Sequence, residues 1–136
     1  MSGINCVVVT PEATALDVQA EFIAVPLFDG EKGIGASHAP MIGRLGYGEL
    51  RVKTKEGERR YYVDGGFVQV TGDAVSIITN RAIAAADVDR GAAEEQLRLA
   101  AKSPVNTDEL LAMREKSVAQ ARAQLKVAGR TKSAKK

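Results

Sequence analysis

The alternation of apolar and polar residues divides the chain into two parts that meet near residue 85. Before that point the apolar runs are short and alternate with polar residues at a period of two, which is typical of β-strands. After it the turn residues disappear and alanine becomes frequent, which favours helices. We therefore predict a β domain over residues 1–85, a helical domain over 86–129, and a basic, disordered tail over 130–136.

The β part contains short strands separated by turns about every ten residues. A β-branched run from Ile4 to Val9 predicts one strand, and the alternation from Leu16 to Ala24 predicts another. The turn sequences Glu56-Gly57-Glu58 and Thr71-Gly72-Asp73 each separate two strand-like runs, which predicts two hairpins. The pattern as a whole predicts a β-sandwich of short antiparallel strands.

The stretch from Pro26 to Gly48 holds six of the thirteen glycines and the only histidine, His38. Because glycine adopts positive φ readily, we predict an irregular surface segment that turns several times. The sequence offers no second histidine for a metal site and no obvious nucleophile for a general base. We therefore expect His38 to serve loop structure or an interface, without a catalytic or metal-binding role.

The helical part is predicted to be an antiparallel hairpin followed by the tail. Asp87 is expected to cap a first helix that runs to about Lys102, where Ser103-Pro104 stops it. Asn106 or Thr107 is expected to cap a second helix that ends at Gly129. A narrow apolar stripe on the second helix suits packing against a partner helix. The stripe consists of Leu110, Leu111, Val118, Leu125 and Ala128.

Composition and charge restrict the function further. The net charge of +2 gives no argument for nucleic-acid binding. Cys6 is the only cysteine, so no disulfide can form within the chain. No apolar run reaches the roughly 18 residues that a spanning helix needs, and we expect no signal or transit peptide.

Positive charge is concentrated at the end of the chain. From Arg114 onward there are eight basic residues and one acid. Such a run is either a solvated helix face with a disordered tail or a docking surface for an acidic protein. The charge pattern alone leaves both interpretations open.

Five motifs, in their order along the chain, resemble those of the epsilon subunit family of the F-type ATP synthase. They are Val8–Glu12, Asp29–Gly35, His38–Pro40, Leu45–Gly48 and Val63–Val68. With a β part followed by a helical hairpin, the resemblance covers nearly the whole chain. The family usually has Pro-Gly before His-Ala-Pro, whereas this chain has Ala36-Ser37, a departure that concerns the turn geometry of this loop.

The resemblance implies a non-catalytic rotor subunit in the central stalk of the proton-translocating ATP synthase. Such a subunit is held peripherally, through its partners, on the cytoplasmic side of the inner membrane. In this family the β-sandwich binds the gamma subunit and the ring of c subunits, and the extended hairpin opposes ATP hydrolysis. The implied contacts with gamma and the c ring are Glu31, Lys32, Gly33 and His38. The implied contacts with the catalytic beta subunits are Arg114, Lys116, Arg122 and Lys126.

The family's nucleotide signature reads Ile or Leu, then Asp, two variable residues, Arg and Ala. Asp87 and Arg90 match this signature, whereas Ala86 and Gly91 depart from it. Two basic positions complete the nucleotide site of the family. Arg122 and Lys126 align with these positions. Because Arg122 and Lys126 are four residues apart, both lie on one helix face. The resemblance thus implies regulatory ATP held by Asp87, Arg90, Arg122 and Lys126, with no other cofactor. The alternative is that Asp87 only caps the helix.

Other function classes explain the sequence less well. A free-standing module that senses nucleotide or an acidic partner would share the same features. An enzyme is disfavoured, because no nucleophile–base pair, paired carboxylates or metal cluster can be assembled. Asp64-Gly65-Gly66-Phe67 has the glycines of a phosphate-binding loop but lacks its Lys-Ser/Thr ending and its helix. We expect a glycine bulge there.

Overall fold

The structure, a computed structural model, describes residues 3–134, with side chains as far as Gly129. It divides into two compact units, one ending at Ala84 and the other beginning at Ala85. The strands of the first unit are β1 (Ile4–Val9), β2 (Thr14–Ala20), β3 (Phe22–Leu27), β4 (Gly30–Ile34), β5 (Met41–Thr54), β6 (Gly57–Thr71), β7 (Ala74–Ile78) and β8 (Ala82–Ala84). The second unit contains a 3-10 turn (Ala85–Asp87) and two helices, α1 (Arg90–Ala101) and α2 (Asp108–Ala134).

The described strands form one mixed sheet. Its order is β2-β1-β7-β6-β5-β3-β4, and β8 pairs with β6. The pairs are antiparallel except for β1 and β7, which run parallel. β5 and β6 are 14 and 15 residues long. The prediction of short antiparallel strands therefore fails for this central hairpin and for the β1–β7 pair.

The β5–β6 hairpin bends near its middle, and the bend lets the sheet fold over on itself. On β5 the core residue before the bend is Leu45, whereas Leu50 and Val52 are buried after it. The core-facing positions thus change from odd to even numbers. β6 makes the matching change between Val63 and Val68. Each long strand can therefore serve both layers of a sandwich.

Glycines make this bend possible. Gly65 and Gly66 have φ values of 71° and 110°, and a Cβ on Gly66 would lie 1.9 Å from the carbonyl oxygen of Ile78. A Cβ on Gly46 would lie 3.1 Å from the carbonyl oxygen of Leu27, where β3 pairs with β5. The β5–β6 register is the same on both sides of the bend. The expected bulge is therefore a bend without an inserted residue, at which β6 changes its partner from β8 to β7.

One aliphatic core lies inside the folded sheet. Strands from both ends of the strand order reach it, as Leu16 of β2 and Ile34 of β4 are both buried there. The predicted β-sandwich followed by two packed helices is therefore confirmed.

Two predictions about the β part were wrong in detail. The stretch from Pro26 to Gly48 is more regular than its glycines suggested, because β4 and the first half of β5 belong to the sheet. The predicted strand from Leu16 to Ala24 is interrupted at Glu21. There the chain passes from β2, which pairs with β1, to β3, which pairs with β4 and β5.

The helix starts also differ from the prediction. Asp89 is the N-cap of α1, and its carboxylate accepts a hydrogen bond of 2.9 Å from the Ala92 amide. Asp87 lies in the 3-10 turn, so its predicted capping role was wrong. Thr107 Oγ1 accepts a hydrogen bond of 3.1 Å from the amide of Leu110, so Thr107 caps α2 as one of the two predicted alternatives.

The end of α2 differs as well. The helix continues through Gly129 to Ala134, so the predicted end at Gly129 was wrong. Glycine inside a helix costs only about 1 kcal/mol relative to alanine, which a long helix tolerates. The backbone of residues 130–134, assigned by the sequence to a disordered tail, is helical, and residues 135–136 lie outside the described part.

Candidate interaction surfaces

The structure brings together the four residues expected to contact gamma and the c ring. Glu31, Lys32 and Gly33 lie on β4, at the end of the strand order, and His38 lies in the loop that follows. All four line one surface depression, together with Leu27, Asp29 and Gly30. We call this the β4 surface. β4 pairs only with β3 among the described strands, so one side of its backbone is open to a partner.

Ion pairs fix the β4 surface to the neighbouring strands. Arg51 on β5 donates a hydrogen bond of 3.0 Å to Glu31, whose side chain stays 52% exposed. Arg51 also lies 3.8 Å from a carboxylate oxygen of Glu49, which pairs in turn with Arg60 on β6. The Glu49–Arg60 pair is mostly buried, so it is screened by solvent less than a surface pair. Glu31 is thus held in position while half of it remains available to a partner.

Close packing explains the glycine and the loop on this surface. A Cβ on Gly33 would lie 2.5 Å from the ring of Phe22, so only glycine lets this ring lie against β4. Ser37 has a φ of 63°, which is rare for a residue with a side chain. The Nδ1 atom of His38 lies 2.8 Å from the carbonyl oxygen of Ala39, a hydrogen bond within the loop. In the described residues no group of three or more metal-ligating side chains is arranged around an ion site.

A second surface was not predicted from the sequence. Phe28, Ile42, Phe67 and Ile78 are each between 51% and 74% exposed. Arg44 pairs across the sheet with Phe67, and Phe67 pairs with Ile78, so the three side chains lie on one face. Ile42 is two residues from Arg44 and shares this face. The guanidinium of Arg44 lies 5.6 Å from the centre of the Phe28 ring. We call the four apolar residues the apolar row.

The apolar row is unusual for a protein surface. Single exposed apolar residues are common, but contiguous groups of large ones mark interaction sites. The cation–π contact with Arg44 adds a positive charge within the group. The row can therefore bury apolar area against a partner and pair with an acidic group there.

The helical unit places the predicted nucleotide residues on different surfaces. Arg90 is the first residue of α1 and pairs with Glu94 at 3.8 Å. Gln96 of α1 donates hydrogen bonds to Ser117 and Gln120, which therefore mark the side of α2 that faces α1.

Arg122 and Lys126 of α2 do not share that side. Because each helical residue turns by about 100°, they lie about 120° or more around α2 from Ser117 and Gln120. Arg122 and Lys126 are both exposed and lie on a different side of α2 from Ser117 and Gln120.

Because Asp89 is the N-cap of α1, the nucleotide signature can be aligned with Asp89 as well as with Asp87. Counted from Asp89, the signature finds Val88 at its apolar position and Ala93 at its alanine, but Ala92 at its arginine. Aligned with Asp87, the signature finds Arg90 at its arginine, but Ala86 at its Ile or Leu and Gly91 at its alanine. Under either counting the chain lacks at least one residue of the full signature.

The predicted contacts with the beta subunits lie along α2. Lys116, Arg122 and Lys126 are exposed, and Arg114 is half-buried. In contrast, the buried residues of α2, over the part whose side chains are described, are Ala121, Gln124 and Val127. The predicted apolar stripe is therefore only partly correct, because Leu111 is 41% exposed.

Comparison with known proteins identifies the family. Residues 3–85 match the family described as ATP synthase, Delta/Epsilon chain, beta-sandwich domain. An ATP synthase epsilon chain from Rhodopirellula baltica is 49% identical over 124 residues, covering 91% of this chain and 97% of the relative. The chain belongs to the ATP synthase epsilon chain family. It is therefore a non-catalytic ATP synthase subunit, as the motifs predicted.

Further relatives and solved structures agree with this family. A sodium-ion-specific ATP synthase epsilon chain from Propionigenium modestum is 30% identical over 130 residues, covering 94% of this chain and 95% of the relative. The fold resembles a chain of the Euglena gracilis mitochondrial ATP synthase structure of OSCP, F1 and c ring, with a TM-score of 0.73 and 22% identity, covering 100% of this chain and 83% of the other. It also resembles a chain of the Tetrahymena thermophila central stalk and c ring, with a TM-score of 0.68 and 16% identity, covering 92% and 96%. At these identities the two structures establish the fold.

The two helices were compared with the requirements for a membrane-spanning helix. Over the described residues, neither α1 nor α2 has the length and apolar character needed to cross a bilayer. As a subunit of ATP synthase, the chain is associated with the membrane through the complex.

Proposed function

We propose that the first unit couples the catalytic head to the c ring and that the two helices of the second unit oppose ATP hydrolysis. The observation that carries this proposal is the apolar row beside a separate polar surface on the same β unit. The apolar row has the composition of a stable protein interface, and the β4 surface has the composition of a polar contact. The chain would then lie peripherally on the cytoplasmic side of the coupling membrane.

The apolar row is the proposed contact with the gamma subunit. Permanent subunit interfaces are more apolar than transient ones, and their centre is depleted of charged residues. The four exposed side chains of the apolar row match that composition, with Arg44 as the charge among them. An apolar surface of gamma that carries an acidic group is the fitting partner.

Binding to purified gamma tests this contact. Ile42→Asp puts a charge at the most exposed residue of the apolar row, and we expect the Kd to rise at least about 30-fold, as for an interface hot spot. Lys53→Asp is the control, since Lys53 is exposed on the other half of β5. An Ile42→Asp variant that folds normally and binds gamma as tightly as the Lys53→Asp control contradicts the contact.

The β4 surface is the proposed contact with the c ring. Glu31, Lys32, Gly33 and His38 offer charge of both signs, an open strand edge and a loop held by internal hydrogen bonding. Reversing the charge at Lys32 should disturb such a polar contact. In reassembled synthase we expect Lys32→Glu to lower the number of ions pumped per ATP hydrolysed, and Lys55→Glu, in the β5–β6 turn, to leave it unchanged. Equal pumping by both variants contradicts this assignment.

The basic residues of α2 are the proposed contact with an acidic segment of the catalytic beta subunits. Each exposed ion pair contributes only about 0–1 kcal/mol, so the effect requires several together. We expect changing Arg114, Lys116, Arg122 and Lys126 to Gln to raise ATP hydrolysis by the assembled head. Changing Lys53, Lys55 and Arg59 of the first unit to Gln is the matched control. Hydrolysis that stays unchanged in the first variant counts against this contact.

Regulatory ATP bound by Asp87, Arg90, Arg122 and Lys126 stays a prediction. Isothermal titration of the full chain with ATP tests it. Millimolar binding that disappears in Arg90→Ala and in Arg122→Ala would support the four-residue site. Absence of heat up to millimolar ATP would remove it.

A further inference from the structure

We propose that Gln96, Ser117 and Gln120 form a polar clasp that holds α1 against α2 and sets how readily the hairpin opens. The Nε2 atom of Gln96 donates to the backbone oxygen of Ser117 at 3.0 Å, to Ser117 Oγ at 3.1 Å and to Gln120 Oε1 at 3.3 Å. The partners are 21 and 24 residues apart in the sequence, so these contacts exist only while the helices are paired. The inference rests on the proposed regulatory role of the helices.

The clasp adds to an apolar contact built largely from small side chains. The buried residues of α1 are Ala93 and Ala100, and the buried side chains described on α2 are Ala121, Gln124 and Val127. Alanine contributes a single methyl group, so its burial gives a small driving force. Small side chains also let two helices approach closely, which brings the Gln96 amide within reach of the Ser117 backbone. The hydrogen bonds of Gln96 therefore add to the apolar contribution of the pairing.

The clasp differs in kind from the other polar contacts of this unit. The Asp89 and Thr107 caps lie at the starts of their own helices and persist when the helices separate. An interaction shifts a conformational equilibrium only if it differs between the two states. Gln96 meets that condition because opening removes all three of its acceptors, whereas the caps do not meet it. The clasp thus stabilises the paired arrangement selectively.

Geometry also explains why Gln96 specifies one register of the two helices. Its amide group reaches a serine and a glutamine three residues apart on α2, which lie on the same helix face. A shift of α2 by one residue would turn that face away by about 100° and remove the acceptors. The clasp therefore fixes which faces of the two helices meet.

Hydrogen exchange of the full-length chain tests the clasp. Gln96→Ala removes the amide and keeps a residue of high helix propensity, so α1 itself is not weakened. We expect the amides of α1 and of the facing part of α2 to exchange about tenfold faster, as one unit. Thr107→Ala is the matched control and should speed exchange only in the first turn of α2. Exchange in Gln96→Ala that equals the wild type overturns the proposal.

A double-mutant cycle makes the test specific. If Gln96 and Gln120 act through each other, their effects on exchange will not multiply, and Gln96→Ala/Gln120→Ala will exchange more slowly than the product of the two single effects. Effects of the two changes that multiply independently overturn the clasp.

Hydrolysis by the assembled head separates the clasp from the function on which it rests. If both are correct, Gln96→Ala opens the hairpin more readily and inhibits ATP hydrolysis more strongly than the wild type. Faster exchange with unchanged hydrolysis supports the clasp and contradicts the inhibitory role of the helices. Unchanged exchange overturns the clasp whatever the hydrolysis rate.

Discussion

At the scale of single residues, Gly66 carries the tightest backbone contact of the β unit. Its φ is 110°, and a Cβ at this position would lie 1.9 Å from the carbonyl oxygen of Ile78, which leaves no room for a side chain. We expect Gly66→Ala to lower the free energy of unfolding by at least about 3 kcal/mol. Urea denaturation measures this loss.

Gly72 provides the control for this substitution. It also has a positive φ, 58°, but no atom lies within 4 Å of its Cβ position. Gly72→Ala should therefore cost only about 1–2 kcal/mol, the penalty for a left-handed residue alone. If Gly66→Ala costs no more than Gly72→Ala, the bend does not depend on the close approach to Ile78.

Cys6 makes stability depend on pH in the alkaline range. Burial, and secondarily the charge of Asp17, raises the pKa of its thiol from 9.0 to about 12. Above pH 9 the unfolded thiol loses its proton while the folded thiol keeps it, so the unfolded state binds fewer protons. Stability therefore falls as pH rises from about 9 towards 12, at up to about 1.4 kcal/mol per pH unit.

Unfolding of the wild type and of Cys6→Ala across this range checks the prediction. The variant loses packing at every pH, so the quantity to compare is the slope of stability against pH. We expect the slope to be shallower in Cys6→Ala. The same slope in both proteins would show that other groups cause the alkaline loss.

At the scale of elements, the start of α1 depends on Asp89. Its carboxylate accepts the Ala92 amide, whereas Asp87 lies in the preceding turn. We expect Asp89→Ala to cost about 1 kcal/mol, as for other N-caps, and Asp87→Ala less than about 0.5 kcal/mol. Exchange of the first amides of α1 measures both variants. If Asp87→Ala had an effect equal to or larger than that of Asp89→Ala, the result would favour Asp87 as the N-cap, as the sequence alone predicted.

The same two aspartates show what the sequence could and could not predict about elements. Both precede a helical pattern, and local propensity does not choose between them. The choice depends on the 3-10 turn after β8, closed by a hydrogen bond of 3.4 Å from the Val88 amide to Ala85. The hairpin turns at Gly57 and Gly72, by contrast, were predicted correctly because their signals are local. The bend at Gly65 and Gly66 was predicted as a bulge, because its form depends on which strands β6 pairs with.

At the scale of the whole molecule, the family was predicted because its motifs occur in order along the sequence. The resemblance also pointed to Glu31, Lys32, Gly33 and His38, which line one depression, and their contact with gamma and the c ring stays a prediction. The apolar row could not be predicted from the sequence, because the apolar residues of β6 near Phe67 lie on both faces of the strand. Phe67 lies between the half-buried Gly66 and the buried Val68, and only the assembled sheet shows that Val68 and Val70 face the core while Phe67 faces out.

ATP hydrolysis by an isolated alpha–beta–gamma head tests whether the β unit binds gamma and the two helices inhibit. The head would be measured with the full chain and with a version that ends at Ala84, where the first unit ends. Our account predicts that both versions bind gamma and that only the full chain inhibits hydrolysis. Binding by both with inhibition by neither would contradict the role of the helices. Failure of both to bind gamma would contradict the coupling role of the β unit.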